Sequence, residues 1–481
     1  MANKKEDKFR FERDSIGELP VPRKAYYGIQ TLRASRNFPV SGIPPKKAFI
    51  ITTAMVKKAA CQANIELGLI DKKIGHAIIK AADEIISGLL HDQFIVDVYQ
   101  AGAGTSHNMN ANEVIANRAI EILGGNLGNY GLVHPNDHVN MSQSTNDAMP
   151  TALRLAAIIS SRGLVSALKG LETAFNAKAT EFDSVIKSGR THLQDAVPIR
   201  LGQEFGSYAS SIHSSLEKIA AARERLKKIG LGGTAVGTGL NTHPLYRARV
   251  LKALSKVSGI KGLKIAPNAF EALNGASDYT GFSSTLNDAA IELTRIANDL
   301  RLLSSGPRTG IAEITLPAVQ PGSSIMPGKV NPVMAEMLDM VCFQVAGNNL
   351  AVIMASQAGQ LELNVMLPVI NYNILQSVDI LSSSVKAFTL NCVKGIKADS
   401  KKCRAYFENS AGLATVLNRF IGYENAAAIA KESASTGKTL KETVRTKGIL
   451  TEKEWTTLLD PSSVTEPEDP RLKIKNLRRR R

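Results

Sequence analysis

Apolar residues recur at helical spacing over most of the chain. One stretch places them at i, i+3, i+4, i+7, i+11 and i+14, and consists of Leu286, Ala289, Ala290, Leu293, Ala297 and Leu300. Residues 334–345 and 374–388 show the same kind of spacing. This period puts the apolar side chains on one face of a helix. Pro332 suits the first turn of a helix, and Pro368 suits a helix start or a kink. We therefore expect several helices of about 20–30 residues between positions 150 and 395, packed as a long bundle.

The two ends of the chain differ from this central pattern. Residues 1–145 combine short helical stretches with loops rich in Gly, Pro and Asn, and after residue 396 the segments shorten and carry more charge. The sequence therefore predicts a mainly α protein with three domains. These are a mixed, mostly helical domain over residues 1–145, a central helical bundle over 146–395, and a small helical domain over 396–481 that ends in a basic tail.

Composition supports this class of fold. Of the 481 residues, 44% are apolar, 21% charged and only 5% aromatic, which favours packed helices over an all-β sandwich. The four cysteines are widely separated and lack zinc-binding spacing. The first 14 residues are charged and contain no apolar stretch, so they do not predict a secretion signal. We expect a cytoplasmic protein with reduced thiols.

Two features raise the question of larger partners. The net charge is +16, and part of it lies in a basic tail formed by Arg471, Lys473, Lys475 and Arg478–Arg481. No RNA-binding motif accompanies this tail, so we expect no nucleic-acid partner. Residues 340–361 carry no charge over a length that could cross a membrane. Six polar residues interrupt them, so we expect a helix buried on all sides within a helical protein and no membrane partner.

Four polar segments interrupt the helical pattern, namely Ala101–Glu113, Ser142–Pro150, Gly189–Pro198 and Gly322–Pro332. Each precedes a helical run, and helix N-termini with loop N–H groups favour anions. Their side chains add many neutral donors, and Lys329 and His192 add cationic or titratable groups. Ser, Thr and Asn before helices are also common N-caps. Four such segments, one with consecutive serines near a lysine, nevertheless favour a site for a small carboxylate substrate.

The glycine spacing argues against nucleotide binding. Five residues separate Gly322 from Gly328 and Val330 follows Lys329, whereas a phosphate-binding P-loop requires four residues and then Gly-Lys-Ser/Thr. The Gly-rich segment Gly232–Asn241 lacks the GxGxxG spacing of dinucleotide sites. No GxSxG motif surrounds Ser323, so the nucleophile elbow of hydrolases is not predicted.

The motif GSSIMPGKVNP, Gly322–Pro332, closely resembles the signature of the aspartase/fumarase superfamily. The other three polar segments occur in the order found in that superfamily, and Tyr26–Phe38 resembles its entry segment, so the resemblance covers nearly the whole chain. It implies the three-domain aspartase/fumarase fold, with the long helices of four identical subunits packed in one shared bundle. It also implies active sites shared between subunits and no required cofactor, although a divalent metal activates some aspartases.

The resemblance further implies elimination from a four-carbon dicarboxylate through an aci-carboxylate intermediate. Ser323 would be the general base and His192 a second catalytic residue that helps to hold the β-carboxylate. The substrate-binding residues implied are Thr105, Ser144, Thr145 and Ser324 at the β-carboxylate, Lys329, Asn331 and Thr191 at the α-carboxylate, and Asn108 and Asn146 near the amino group.

Two segments bear on the leaving group. Val96–Ala119 and Gln357–Ile370 are more similar to the aspartase branch, whereas fumarases typically show GSGTxxNMN and GNFELN in their place. We therefore expect reversible elimination of ammonia from L-aspartate to give fumarate. The alternatives are elimination of water from malate, and a non-catalytic binding protein on the same fold, since fold alone does not fix function. The intact Ser323, Lys329 and Asn331 argue against the last alternative.

Overall fold

The computed structural model describes residues 8–467, apart from the side chains of Arg419 and Ser462. The described residues form two compact units. The first lies within Met1–Val165, Glu217–Ala290 and Cys342–Ser382, and the second within Ser166–Leu216, Ile291–Val341 and Ser383–Arg481. The basic tail of the sequence analysis lies outside the described residues. The three-domain division at residues 145 and 395 stays a prediction.

Helices make up 63% of the structure, which confirms the mainly α class. The elements in chain order are β1 Phe9–Asp14, β2 Gly17–Pro22, α1 Ile29–Asn37, α2 Lys47–Glu66, α3 Lys72–Ile86, α4 Thr105–Ile122, α5 Thr145–Glu181, β3 Ile186–Thr191, β4 Gln194–Arg200, α6 Leu201–Arg225, β5 Lys228–Ile229, α7 Tyr246–Ser258, β6 Lys264–Ile265, α8 Ala269–Asn274, α9 Ser277–Leu303, β7 Ile314–Thr315, α10 Val333–Gln357, α11 Leu367–Asn391, β8 Lys397–Ala398, α12 Ser400–Asn409, α13 Ala414–Ile421, α14 Tyr423–Thr436, α15 Leu440–Thr446, α16 Glu452–Leu458 and α17 Pro461–Thr465. The long helices α5, α6, α9, α10 and α11 confirm the helical spacing. The strands form four two-stranded sheets, which the sequence analysis did not predict.

The core of the first unit includes the apolar faces of α2, α3 and α4. Helix α3 begins after Asp71, whose carboxylate accepts two backbone N–H groups of the first turn. Ile78 and Ile85 of α3 are fully buried in one cluster with Val114 and Ile115 of α4. Burial of such side chains contributes ~1.5–3 kcal/mol each to folding. This packing fixes α4, whose first turn carries Thr105.

A buried carboxylate also joins α4 to the N-terminal segment. Glu113 accepts hydrogen bonds from the backbone N–H groups of Gly28, Gln30 and Thr31 and from the Thr31 hydroxyl. The first N–H groups of a helix have no partner within the helix, and this carboxylate satisfies them at the start of α1. Burial raises the pKa of Glu113 to about 7, against the hydrogen bonds that favour its charged form.

The second unit contains the hairpin β3–β4 and a buried ion network. Lys187 of β3 is buried, and its Nζ lies 2.9 Å from Glu204 and 2.5 Å from Glu313. Arg190 of the same strand contacts Glu313 at 2.9 Å. Glu313 is fully buried and directly precedes β7, which pairs with β8. The network therefore anchors the hairpin to the segment that leads towards Gly322–Pro332.

The C-terminal helices of the second unit are short, as expected for residues after 396. Two of them, α15 and α16, begin with capping boxes in which Thr439 pairs with Glu442 and Thr451 with Glu454. Reciprocal side-chain and backbone hydrogen bonds of this kind stabilise a helix start. Their buried apolar residues are Leu440, Val444, Trp455 and Leu458. These pack in one cluster with Ile186, Phe407, Leu413, Leu417, Ala426 and Ile429.

The uncharged stretch from residue 340 forms most of α10. The expectation that this helix is buried on all sides is wrong for the single chain, because Met340, Phe343, Leu350 and Met354 are each 55–64% exposed. An uncharged sequence cannot distinguish a helix enclosed by its own chain from one that leaves an apolar stripe uncovered. Two described helices, α5 and α10, are long and apolar enough to cross a membrane, with 61% and 39% of their most apolar stretches buried. This is weak evidence, because core helices share these properties.

Candidate functional site

Four of the predicted substrate-binding residues line one cavity of the first unit. They are Thr105 and Asn108 of α4 and, from the next polar segment, Ser144 and Thr145. The cavity has a volume of about 430 Å³, and its remaining lining residues are Met109, Asn136, Asn140, Ser142, Gln143, Thr234, Ala235, Leu240 and Asn241. Its wall is therefore rich in neutral hydroxyl and amide groups.

Two helices begin at this cavity. Helix α4 starts at Thr105, directly after a tight 3₁₀ turn in which Ala103 and Gly104 have positive φ. Helix α5 starts at Thr145, one residue after Ser144. The sequence analysis expected polar loops followed by helices, and the structure places several candidate side chains in the first helical turns themselves. Backbone N–H groups and helix dipoles at such N-termini favour a negatively charged ligand.

A buried lysine orders the amides of the cavity wall. The Nζ of Lys57 in α2 donates to Oδ1 of Asn108 at 2.7 Å and to Oδ1 of Asn140 at 2.8 Å. The Nδ2 of Asn108 in turn donates to Oγ1 of Thr145 at 3.1 Å. Burial lowers the pKa of Lys57 to about 7, although the charge of Asp147 opposes this shift. The sequence analysis missed Lys57, because a lysine pair within a helix usually indicates a solvated face.

Asp147 connects two walls of the cavity. Its carboxylate accepts the backbone N–H of Ser144 at 2.9 Å, and those of Gly232 and Thr234 at 2.8 and 3.0 Å. Burial raises the pKa of Asp147 to about 6, opposed by these hydrogen bonds and by Lys57. The Gly-rich segment Gly232–Asn241, which lacks the spacing of a dinucleotide site, thus forms part of this cavity. Asp147 could have been suspected from its place in SQSTNDAMP, the segment that supplies three candidates.

Asn146 contacts the same wall of the first unit. Its Nδ2 donates to the backbone carbonyl of Ala235 at 2.8 Å. This bond orients the amide and uses one of its two N–H groups, and Oδ1 is the hydrogen-bond acceptor of the side chain. An acceptor suits a ligand ammonium group.

Thr191 and His192 lie at the hairpin turn of the second unit. The turn consists of His192 and Leu193 alone, since Thr191 pairs with Gln194. Both turn residues have positive φ, 55° and 58°, which a two-residue hairpin turn of type I′ requires. Non-glycine residues seldom adopt this conformation, and such strain concentrates at functional sites. Thr191 and His192 are exposed.

Ser323, Ser324, Lys329 and Asn331 share one irregular loop of the second unit. The Oγ of Ser323 accepts the backbone N–H groups of Ile325 and Met326 at 3.2 and 3.0 Å. Ser324 and Lys329 are exposed. Hydrogen bonds to an oxygen favour its anionic form. The loop therefore directs two backbone N–H groups at the Oγ of Ser323.

The same loop is closed at its base. The backbone N–H of Gly322 donates to the carbonyl of Lys329 at 2.8 Å, and Nδ2 of Asn331 donates to the carbonyl of Gly322 at 2.7 Å. A side chain at position 322 would place its Cβ about 2.4 Å from the Lys329 carbonyl oxygen. Only glycine permits this approach. Val333 then begins α10.

Within residues 8–467 no group of three or more His, Cys, Asp or Glu side chains is placed to hold a metal ion. All four cysteines are buried.

Comparison with known proteins places the chain in a family. Residues 17–347 match the family model described as lyase, and residues 413–466 match that of the fumarase C C-terminus. The chain is 51% identical to an aspartate ammonia-lyase from Bacillus sp, over 95% of this chain and 98% of the other. It is 47% identical to a mitochondrial fumarate hydratase from Rhizopus oryzae, over 96% and 94% of the two chains. A solved fumarate lyase:delta crystallin from Brucella melitensis, bound to cobalt, superposes with a TM-score of 0.93 at 50% identity, over 95% of this chain and 100% of that one.

The fold and the matches define a lyase. The chain belongs to the lyase family with a fumarase C C-terminal region, and its fold is the helical aspartase/fumarase fold.

Proposed function

We propose that this protein is an aspartate ammonia-lyase, which reversibly eliminates ammonia from L-aspartate to give fumarate. It is a carbon–nitrogen lyase by its relatives. The observation that carries the substrate class is the cavity at the starts of α4 and α5, where Thr105, Asn108, Ser144 and Thr145 converge. Neutral donors at two helix N-termini suit a carboxylate, because their N–H and O–H groups stabilise its negative charge.

The chemical step is the removal of a C–H proton beside a carboxylate. We assign Ser323 as the general base, supported by the two N–H groups that its Oγ accepts. The proton moves to Ser323, the electron pair enters the β-carboxylate to form the aci-carboxylate, and its collapse expels ammonia. Thr105, Ser144 and Thr145, with Ser324, bind the doubly negative group. Loss of one such donor typically costs ~3–4 kcal/mol of transition-state stabilisation.

The other end of the substrate is assigned to charged and amide groups. Lys329 and Asn331 bind the α-carboxylate with Thr191, and His192 helps to hold the β-carboxylate. Asn146 accepts from the substrate ammonium through Oδ1, in keeping with its Nδ2 bond to Ala235. Asn108 lies near the same amino group but does not accept from it, because Lys57 takes its Oδ1.

The setting of the enzyme is part of the proposal. Protein groups carry every step without a cofactor, and the enzyme works in the cytoplasm. Four subunits associate through their long helices and share active sites. The exposed apolar residues of α10, among them Met340, Phe343 and Leu350, support such association, because large apolar patches on single chains mark interaction surfaces.

The test is the absorbance of fumarate after L-aspartate or L-malate is offered separately. We expect the signal to grow with L-aspartate and to be absent or far weaker with L-malate. Fumarate formed only from L-malate would establish the alternative, a fumarate hydratase, which the relative from Rhizopus oryzae keeps open. No reaction with either substrate would favour a non-catalytic protein on this fold.

A further inference from the structure

Lys57 is a buried charge that the proposed reaction does not use. It is fully buried in α2, and its ammonium group has two side-chain acceptors, Asn108 and Asn140. Both amides line the 430 Å³ cavity. A buried ammonium is costly unless it is well hydrogen-bonded. A buried lysine in contact with two residues of a polar cavity therefore points to a role in that cavity.

The lysine determines which way the amides face. A lysine ammonium only donates, whereas an asparagine side chain has one acceptor oxygen and one donor nitrogen. Because Lys57 takes Oδ1 of Asn108, Nδ2 of Asn108 must turn away, towards Thr145 and Asn140. Oδ1 of Asn140 is likewise taken, by Lys57, Asn108 and Asn112. The donor side of Asn108 is thus directed to the hydroxyl group of a substrate-binding candidate.

The charge of Lys57 also acts on its surroundings. Burial, and to a smaller extent the charge of Lys57, lowers the pKa of the fully buried His107 to about 3, so that its imidazole is neutral. The carboxylate of Asp147 is the charge that attracts Lys57. Positive charge beneath the cavity lowers the energy of an anion within it, and the effect is stronger in a poorly screened interior.

We propose that Lys57 is a positioning residue of the substrate site, which fixes the amide of Asn108 with Nδ2 towards Thr145 and Asn140 so that the hydroxyl of Thr145 is held in place for a dicarboxylate. The inference rests on the proposed function. Lys57 acts through Asn108 and does not itself touch the substrate.

The first experiment compares Lys57→Met with Lys58→Met in the full-length protein. Lys58 is the neighbouring residue in α2, but its side chain pairs with Asp83 at the surface. Binding of succinate, an unreactive four-carbon dicarboxylate, is measured by calorimetry. We expect Lys57→Met to weaken succinate binding about tenfold or more, because the variant loses the charge-assisted hydrogen bonds of Lys57. Lys58→Met should bind within about twofold of the natural protein.

A double-mutant cycle tests whether Lys57 acts through Asn108. If it does, the chain carrying both Lys57→Met and Asn108→Ala binds succinate as weakly as Asn108→Ala alone. Independent, additive losses would overturn the inference, as would unchanged binding by Lys57→Met. Should Lys57→Met fail to fold, Lys57→Gln enters the same cycle, since it keeps polar contacts. If the natural protein neither binds succinate nor converts L-aspartate, the proposed function fails instead.

Discussion

The carboxylate of Asp147 accepts the backbone N–H of Thr234, a residue 87 positions further along the chain, at 3.0 Å. The same carboxylate accepts the N–H of Ser144. Thr234 has a φ of 55°, rare for a β-branched residue. One buried side chain thus holds the start of α5 and a strained turn of the Gly-rich segment together on opposite walls of the cavity.

Replacement of Asp147 by Asn should destabilise the first unit and impair substrate binding. The variant amide has a single acceptor oxygen, so at least one of the three N–H groups loses its partner. A buried N–H left unpaired costs about 1–3 kcal/mol. Urea unfolding should show this loss, and KM for L-aspartate should rise. Unchanged stability together with unchanged KM would contradict the bridging role of Asp147.

The pH dependence of stability should reveal Lys57. Its pKa falls from 10.5 to about 7 in the folded protein, because burial disfavours the ammonium. Between pH 7 and 10.5 the unfolded chain binds more protons than the folded one, so this residue makes the unfolding free energy rise with pH. Below pH 7 both states are charged and the burial penalty is fully present.

The measurement compares the natural protein with Lys57→Met in urea at pH 7 and at pH 9.5. The unfolding free energy of the natural protein, relative to that of Lys57→Met, should be larger at pH 9.5 than at pH 7. Lys58→Met serves as the reference for loss of a partly exposed charge. A difference that is constant across this interval would contradict the lowered pKa.

Ser323→Ala should abolish fumarate formation from L-aspartate while succinate still binds. The base is lost, but the carboxylate-binding groups remain. Steady-state assays and calorimetry check the two halves of this prediction. Ser435→Ala, a change at an exposed serine of α14, should leave both unchanged. Near-normal turnover by Ser323→Ala would remove Ser323 as the base.

Glu313→Gln should destabilise the second unit by roughly 3–5 kcal/mol, because it leaves the buried Lys187 short of a counter-charge. The matched control is Glu408→Gln, which breaks an exposed pair with Arg404 and should cost under about 1 kcal/mol. Thermal unfolding of both variants gives the comparison. Equal melting temperatures for the two variants would show that the buried network contributes little.

The long helices were predictable because their apolar residues face one side at a period that no other element shares. The hairpin was not, since β3 buries Ile186, Lys187, Ser188 and Gly189 in succession and lacks the alternation that indicates a strand. The candidate site was predicted from composition and resemblance, and four of its residues converge on one cavity. Lys57 was missed because its burial depends on α4 and on residues beyond it, which local sequence does not reveal.

The base of the loop Gly322–Pro332 has a consequence for dynamics. Two hydrogen bonds join Gly322 to Lys329 and Asn331, so the intervening residues form a closed ring. We expect such a ring to move as one body, with the dihedral changes of any displacement in the flanking residues. The position of Ser323 within the ring would then be the same before and after the displacement. Relaxation rates of the amides at 323–326 and 328–330 should accordingly share a single exchange process.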